Sequence, residues 1–136
     1  MNKFIARRCR NKQYRFIYRN DYDKILIVSE QYHNYKDMMA GIKSVKLNSQ
    51  SFDNYQLRTS ADGHYYFNLV SEKNHKVIAG PSYLFNYEGE RTAAVQIMIE
   101  HCLNANIEDN TKNWWNLSAE ACWGDLTVIN EKKDGK

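Results

Sequence analysis

The chain has 136 residues, 43% hydrophobic and 26% charged, with a formal net charge of +3. That length suits one domain over 1–136, because two domains would each bury a marginal core. No apolar run approaches the roughly 20 residues that span a bilayer, and Met1 to Arg8 has no apolar stretch of the signal-peptide kind. No membrane attachment and a cytoplasmic location are therefore expected.

The first strand is expected over 3–10. Tyr14, Phe16 and Tyr18 then alternate with Arg15, Ile17 and Arg19, the period of a strand with one buried face, over 14–20. Asp21-Tyr22-Asp23 makes a tight turn into a third strand at 24–30. Met38, Ile42 and Val45 fall at i, i+4 and i+7 and lay one apolar stripe along a helix over 35–48. Strands follow at 53–60, 64–71 and 76–82. Asp62-Gly63 is a hairpin signal that tolerates positive φ, Lys73-Asn74-His75 is a second turn, and Pro81 stands at a strand end. Val95, Ile99 and Cys102 repeat the helical spacing over 88–104. Asn48-Ser49 and Asn104-Ala105 close the helices, with asparagine suited to a left-handed cap.

These elements read as two copies of one unit. At an offset of 51, Phe4 meets Tyr55, Ala6 meets Leu57, Tyr14 and Phe16 meet Tyr65 and Phe67, Leu26-Ile27 meets Val77-Ile78, and Tyr32 meets Tyr83. The expected fold is α+β: tandem β-β-β-α repeats, 3–49 and 52–105, forming one antiparallel sheet with both helices on one face. The opposite face would stay partly open to water. Glu88-Gly89-Glu90-Arg91 reads as an insertion, a loop at 86–91. A C-terminal extension, 106–136, has no counterpart in the first copy and carries Trp114, Trp115 and Trp123. Its tryptophans either cover an open edge or face, or anchor a partner.

Two stretches carry a resemblance. One is Gly63-His-Tyr65-Tyr-Phe67-Asn-Leu69 with Lys76-Val-Ile78 and Ser82-Tyr83. The other is Tyr14-Arg-Phe16 with Ile27-Val-Ser29-Glu-Gln-Tyr32 and Gly41-Ile42-Lys-Ser44-Val45-Lys-Leu-Asn48. Together they resemble the YegP-like family of small bacterial domains, over roughly residues 3–105. The resemblance implies a β-β-β-α unit used in tandem or as a homodimer, in a cytoplasmic protein, and it brings no catalytic residues. The second copy lacks Gly-Ile-x-Ser-Val.

Nothing in the residues marks a reaction. His33, His64, His75 and His101 have no metal-ligand spacing, and there is no Cys-x-x-Cys, phosphate loop or nucleophile elbow. Neither metal nor cofactor is expected, and no enzyme activity. The three cysteines, Cys9, Cys102 and Cys122, are scattered and odd in number, which argues for buried free thiols rather than a disulfide framework. Two surface features remain. Aromatic residues, with Tyr66 and the three tryptophans foremost, suit a non-enzymatic module that binds a protein partner or a second copy of itself. Residues 1–50 hold 11 Lys/Arg against 4 Asp/Glu, while 51–136 hold 8 against 12. Lys3, Arg7, Arg15 and Arg19 can share one sheet face, so the alternative is a nucleic acid or nucleoprotein held by phosphate contact and stacking.

Overall fold

The computed structural model describes residues 2–9 and 11–112. They form an α+β fold in the order β1 (Lys3–Arg8), β2 (Tyr14–Arg19), β3 (Ile25–Val28), α1 (Tyr35–Asn48), β4 (Tyr55–Thr59), β5 (Tyr65–Val70), β6 (Val77–Ala79), α2 (Glu88–His101) and β7 (Asn106–Asp109), with a short 3-10 turn at Phe52–Asn54. The turns supply the backbone the sequence asks for. Asp23, Gly63 and His75 all take positive φ, at 61°, 87° and 58°. The Asn20 side chain accepts from Tyr22 N and Lys24 N, which closes the first of these turns.

Strands pair in two sheets rather than one. The four-stranded sheet runs β3-β2-β1-β7 and the three-stranded sheet runs β4-β5-β6. β7 lies parallel to β1, and every other strand pair is antiparallel. Among the described residues the sheets are joined by the Ile27–Ser82 bridge alone, flanked by Gly80 N to Val28 O (3.3 Å) and Tyr83 N to Leu26 O (3.1 Å). Pro81 sits inside this seam, where it has no N–H to donate, so the ladder cannot be continuous there.

One core serves both halves. Phe4, Ala6, Phe16 and Tyr18 meet Phe67, Leu69 and Ala79 beneath Met38, Ile42 and Val45 of α1 and Ala94, Val95 and Met98 of α2. Both helices therefore share one face. α1 packs on β2 and also reaches β5 and β6 of the other half. Asn34 caps α1, accepting from Asp37 N at 2.7 Å, and the Glu90 carboxylate accepts from Asn86 N and Tyr87 N at the start of α2. Neither helix ends in a left-handed residue, because Ser49 and Cys102 at the C-caps are both right-handed. Asn48 uses its side chain elsewhere.

The register between the halves corrects the single offset of 51. Phe16 N donates to Ser29 Oγ and Ser29 N to Phe16 O. Phe67 and Ser82 make the same pair of bonds. Tyr14 bridges Tyr32 as Tyr65 bridges Phe85. The phenylalanines are 51 residues apart but the serines are 53 apart. Five residues join β2 to β3 against six between β5 and β6, and Gly80-Pro81 stand where Val28 stands alone. The two helices have 14 residues each, also offset by 53. Glu88–Arg91 is consequently the first turn of α2 and not an inserted loop.

The helix match also moves by one turn. Ile42 corresponds to Val95 and Val45 to Met98, while Met38 corresponds to Arg91. Arg91 is 6% exposed. It donates to Arg58 O at 2.9 Å, pairs with Glu88 at 3.2 Å and lies 5.3 Å from the Tyr65 ring centroid.

Cys102 is a buried free thiol, as expected, but Cys9 is disulfide-bonded. An odd cysteine count excludes a fully paired set, not a single bridge.

Candidate functional site

Residues of the helix motif divide by what they touch. Ile42 and Val45 are core. At Gly41 a Cβ would collide with the Tyr32 hydroxyl and lie 3.3 Å from the Phe16 ring. Tyr32 in turn stacks on Phe16 at 6.1 Å between centroids. Glycine is required here by close approach rather than by φ. In the other half Ala94 stands for Gly41 and Phe85, without a hydroxyl, stands for Tyr32.

Asn48 ties the halves together. Its Nδ2 donates to Ser44 O at 2.8 Å, and its Oδ1 accepts from Glu72 N at 2.8 Å in the turn between β5 and β6. This bond holds that turn against the end of α1 and opens a cleft of about 550 Å³ between them. Ala40, Ser44, Leu47 and Asn48 line one wall, with Ser71, Glu72 and Lys73 on the other and Lys43 at its side. Leu47 is 58% exposed, an apolar side chain off the buried stripe of α1. Such a cleft offers apolar surface from Ala40 and Leu47, two serine hydroxyls, two ammonium groups and the Glu72 carboxylate.

The matching region under α2 differs. There the space is split into a cleft of about 430 Å³, lined by Asp21, Glu100, His101 and asparagines 2, 104 and 106, and one of about 220 Å³ beside Asn20, Tyr22, Ala93 and Ile97. Ile97 takes the place of Ser44 and His101 that of Asn48.

The four basic residues expected to share a face do so. Lys3 faces Arg19 across β1–β2, and Arg7 faces Arg15, on the side away from the helices. They are engaged within the protein. Lys3 pairs with Glu108 at 2.6 Å and holds that carboxyl below its ordinary range. Arg15 Nε donates to Ser29 O at 3.0 Å, and Arg19 lies 3.9 Å from Asp23. Burial, with Arg19 nearby, lowers the Arg7 value. Between the charged rows, Ile5, Ile17 and Val28 are buried, so the centre of this face is not open to water as expected. Tyr66 shares its side of the sheet in the other half, half-buried and opposite Arg58. Trp114, Trp115 and Trp123 lie outside the described residues.

Among the described residues no group of three His, Cys, Asp or Glu could hold a metal ion, and no helix is long and apolar enough to cross a membrane.

No protein-family model matches the chain. A UPF0339 protein of Photorhabdus laumondii is 31% identical over 110 residues, spanning 81% of this chain and 95% of that protein. The chain belongs to the UPF0339 family. YegP of Escherichia coli K12, another UPF0339 protein, is 28% identical over 101 residues, 74% of this chain and 90% of its own length. The solution structure of E. coli YegP, a protein of unknown function, superposes with a TM-score of 0.73 at 25% identity, covering 81% of this chain and 93% of that one. The UPF0339 protein SO3888 of Shewanella oneidensis gives 0.74 at 24% identity, over 82% and 92%. The YegP-like resemblance read from the motifs is therefore correct, and these UPF0339 relatives are bacterial.

Proposed function

We propose that this UPF0339 chain is a non-enzymatic protein-interaction module built from two diverged copies of a β-β-β-α unit. The matched Phe16–Ser29 and Phe67–Ser82 bond pairs support the duplication. The observation that carries the binding reading is the cleft beside α1. It brings exposed Leu47 together with Lys43 and Lys73, two ammonium groups against the one carboxylate of Glu72, a combination suited to a partner segment that carries both an apolar anchor and carboxylates. Its test is capture from bacterial lysate on immobilised full-length protein, with and without nuclease, beside the double variant Leu47→Asp/Lys43→Glu. A protein retained through nuclease by the wild type and lost by the variant is the expected result. Equal retention by the variant would remove the cleft from the site.

A second reading has one observation in its favour, the gathering of Lys3, Arg7, Arg15 and Arg19 on one face. It holds that this face binds nucleic acid or a nucleoprotein, with retention lost on nuclease treatment and affinity falling steeply with salt. Arg15→Glu with Arg19→Glu would then weaken binding to every sequence tested. The commitment of Lys3, Arg15 and Arg19 to partners inside the protein makes it the weaker reading.

A further inference from the structure

The two halves differ at one sheet edge. On β1 that edge is closed by β7, with Asn110 N donating to Ala6 O at 2.8 Å. β4 stands where β1 stands, and Leu57 where Ala6 stands. Among the described residues no strand lies beyond β4. Ala6 is 0% exposed and Leu57 40%, so an apolar side chain is left where a neighbouring strand would cover it.

Hydrogen-bond alternation shows which backbone groups the edge presents. Phe67 N and O are both spent on Ser82, toward β6. Bonds from β5 to β4 therefore leave from Tyr66 and Asn68, which face Arg58 and Gln56. The N–H and C=O groups of Leu57 and Thr59 and the C=O of Tyr55 point outward, while Tyr55 N already donates to Phe52 O. Few of the devices that blunt an edge are present. The β4–β5 register runs without a shift, the strand holds no proline, and Arg58 is its one charge. By contrast β6 has a register shift and adjoins Gly80-Pro81, and β7 carries Glu108 and Asp109.

We propose that β4 is a self-recognition edge, through which two copies of the chain pair antiparallel over Tyr55–Thr59 and join their three-stranded sheets across a two-fold axis. The register argues for a second copy as the occupant. Centred on Leu57, it sets Leu57 N and O against the same groups of the other copy, and Thr59 N against the other Tyr55 O. Gln56 then lies opposite Arg58, so no like charges meet. Leu57 shares its side of the strand with Tyr55, which is core, and the two leucines meet across the axis. A parallel acidic strand of the β7 kind fits less well. Lys3 receives Glu108 on β1, but the residue in its place before β4 is Asn54. This edge shares no residue with the cleft beside α1. It is five residues long, so the dimer is weak and concentration-dependent.

The test is sedimentation equilibrium of the full chain at concentrations up to about 1 mM. The expected result is a monomer–dimer equilibrium with its midpoint below that limit. Gln56→Arg sets like charges opposite Arg58 of the other copy and should weaken the dimer by about two- to thirtyfold, since each such pair occurs twice across the axis. Gln56→Glu sets opposite charges there and should tighten it by a similar factor, a gain that added salt removes. Leu57→Pro deletes the outward N–H, keeps the ladder to β5 and should abolish the dimer with far-UV circular dichroism unchanged. The Gln56 pair decides the matter if Leu57→Pro does not fold. Lys43→Glu/Lys73→Glu, in the cleft, should leave the dimer as it was. A chain that stays monomeric throughout overturns the proposal. So does a dimer that is indifferent to both Gln56 variants, or one that the cleft variant dissolves.

Discussion

The two ends of the helical layer occupy equivalent places and differ in charge and shape. Beside α1, Lys43 and Lys73 flank one cleft of about 550 Å³ over Leu47. Beside α2, Asp21, Glu100 and His101 line a smaller one, and Ile97, which stands where Ser44 stands, lines another. Similar elements thus carry a part-apolar cleft with two lysines against Glu72 and a polar one with two carboxylates. A core can be kept by matching volumes alone, whereas cleft-lining side chains are free to diverge, and here they have diverged in sign.

Buried positions test how deep that divergence goes. Met38→Ala should cost about 2–5 kcal/mol by cavity formation, read as a loss of chemical-denaturation midpoint. Its counterpart Arg91 holds Arg58 O and covers Tyr65, so Arg91→Ala should cost about 1–3 kcal/mol. Arg91→Met, which restores the first half's chemistry, should cost less than Arg91→Ala. The reverse order would mean that the site cannot accommodate a methionine side chain where the arginine stem lay.

The Gly41–Tyr32 and Ala94–Phe85 pairs allow a sharper cycle. Gly41→Ala should destabilise by about 1–3 kcal/mol through collision with the Tyr32 hydroxyl. With Tyr32→Phe added, part of that cost should be recovered, helped by a gain in helix propensity of about 1 kcal/mol, although the Tyr32 ring carbon 2.7 Å from the new Cβ must still give way. Strict additivity of the two substitutions would show that the hydroxyl is not the obstacle. Asn48→Ala removes a bond to the turn of the other half and should cost about 1 kcal/mol. His101→Ala, with its exposed contact to Glu100, should cost less.

Smallest are the pH effects. Burial pushes Tyr32 up to about 12 and Cys102 up to about 11, and it raises Tyr18 and Tyr55 further. All are neutral in the fold below their ordinary values, so the stability they contribute is intact below about pH 9 and is lost as pH rises through 11 and 12. Tyrosinate absorbance should show these three tyrosines ionising only as the chain unfolds. At the other extreme, the hydrogen bond from Ser60, with His64 beside it, holds Asp62 down to about 2. Its contribution is present above the ordinary value of 3.8 and is lost as pH falls through 2.

Much of this was legible before the fold. Alternation in Tyr14–Arg19 and the i, i+4, i+7 stripe of Met38, Ile42 and Val45 placed β2 and α1, and the same alternation put Lys3, Arg7, Arg15 and Arg19 on one face. The register was not legible. An apolar match cannot see the extra residue in the β5–β6 turn, nor Gly80-Pro81 in place of Val28. It also slid α2 by a turn, because the partner of Met38 is an arginine and carries no apolar signal. The α1 cleft was missed since its second wall comes from the turn of the other half, 24 residues beyond Asn48. Leu47, apolar but off the helix stripe, was the one signal that pointed there.

The most direct test of the account is a charge exchange between the two clefts, read by nuclease-resistant capture of a protein partner. Lys43→Glu/Lys73→Glu should abolish retention, whereas Asp21→Lys/Glu100→Lys should leave it unchanged. Retention that survives the first exchange, or falls with the second, would contradict the assignment of binding to the basic cleft.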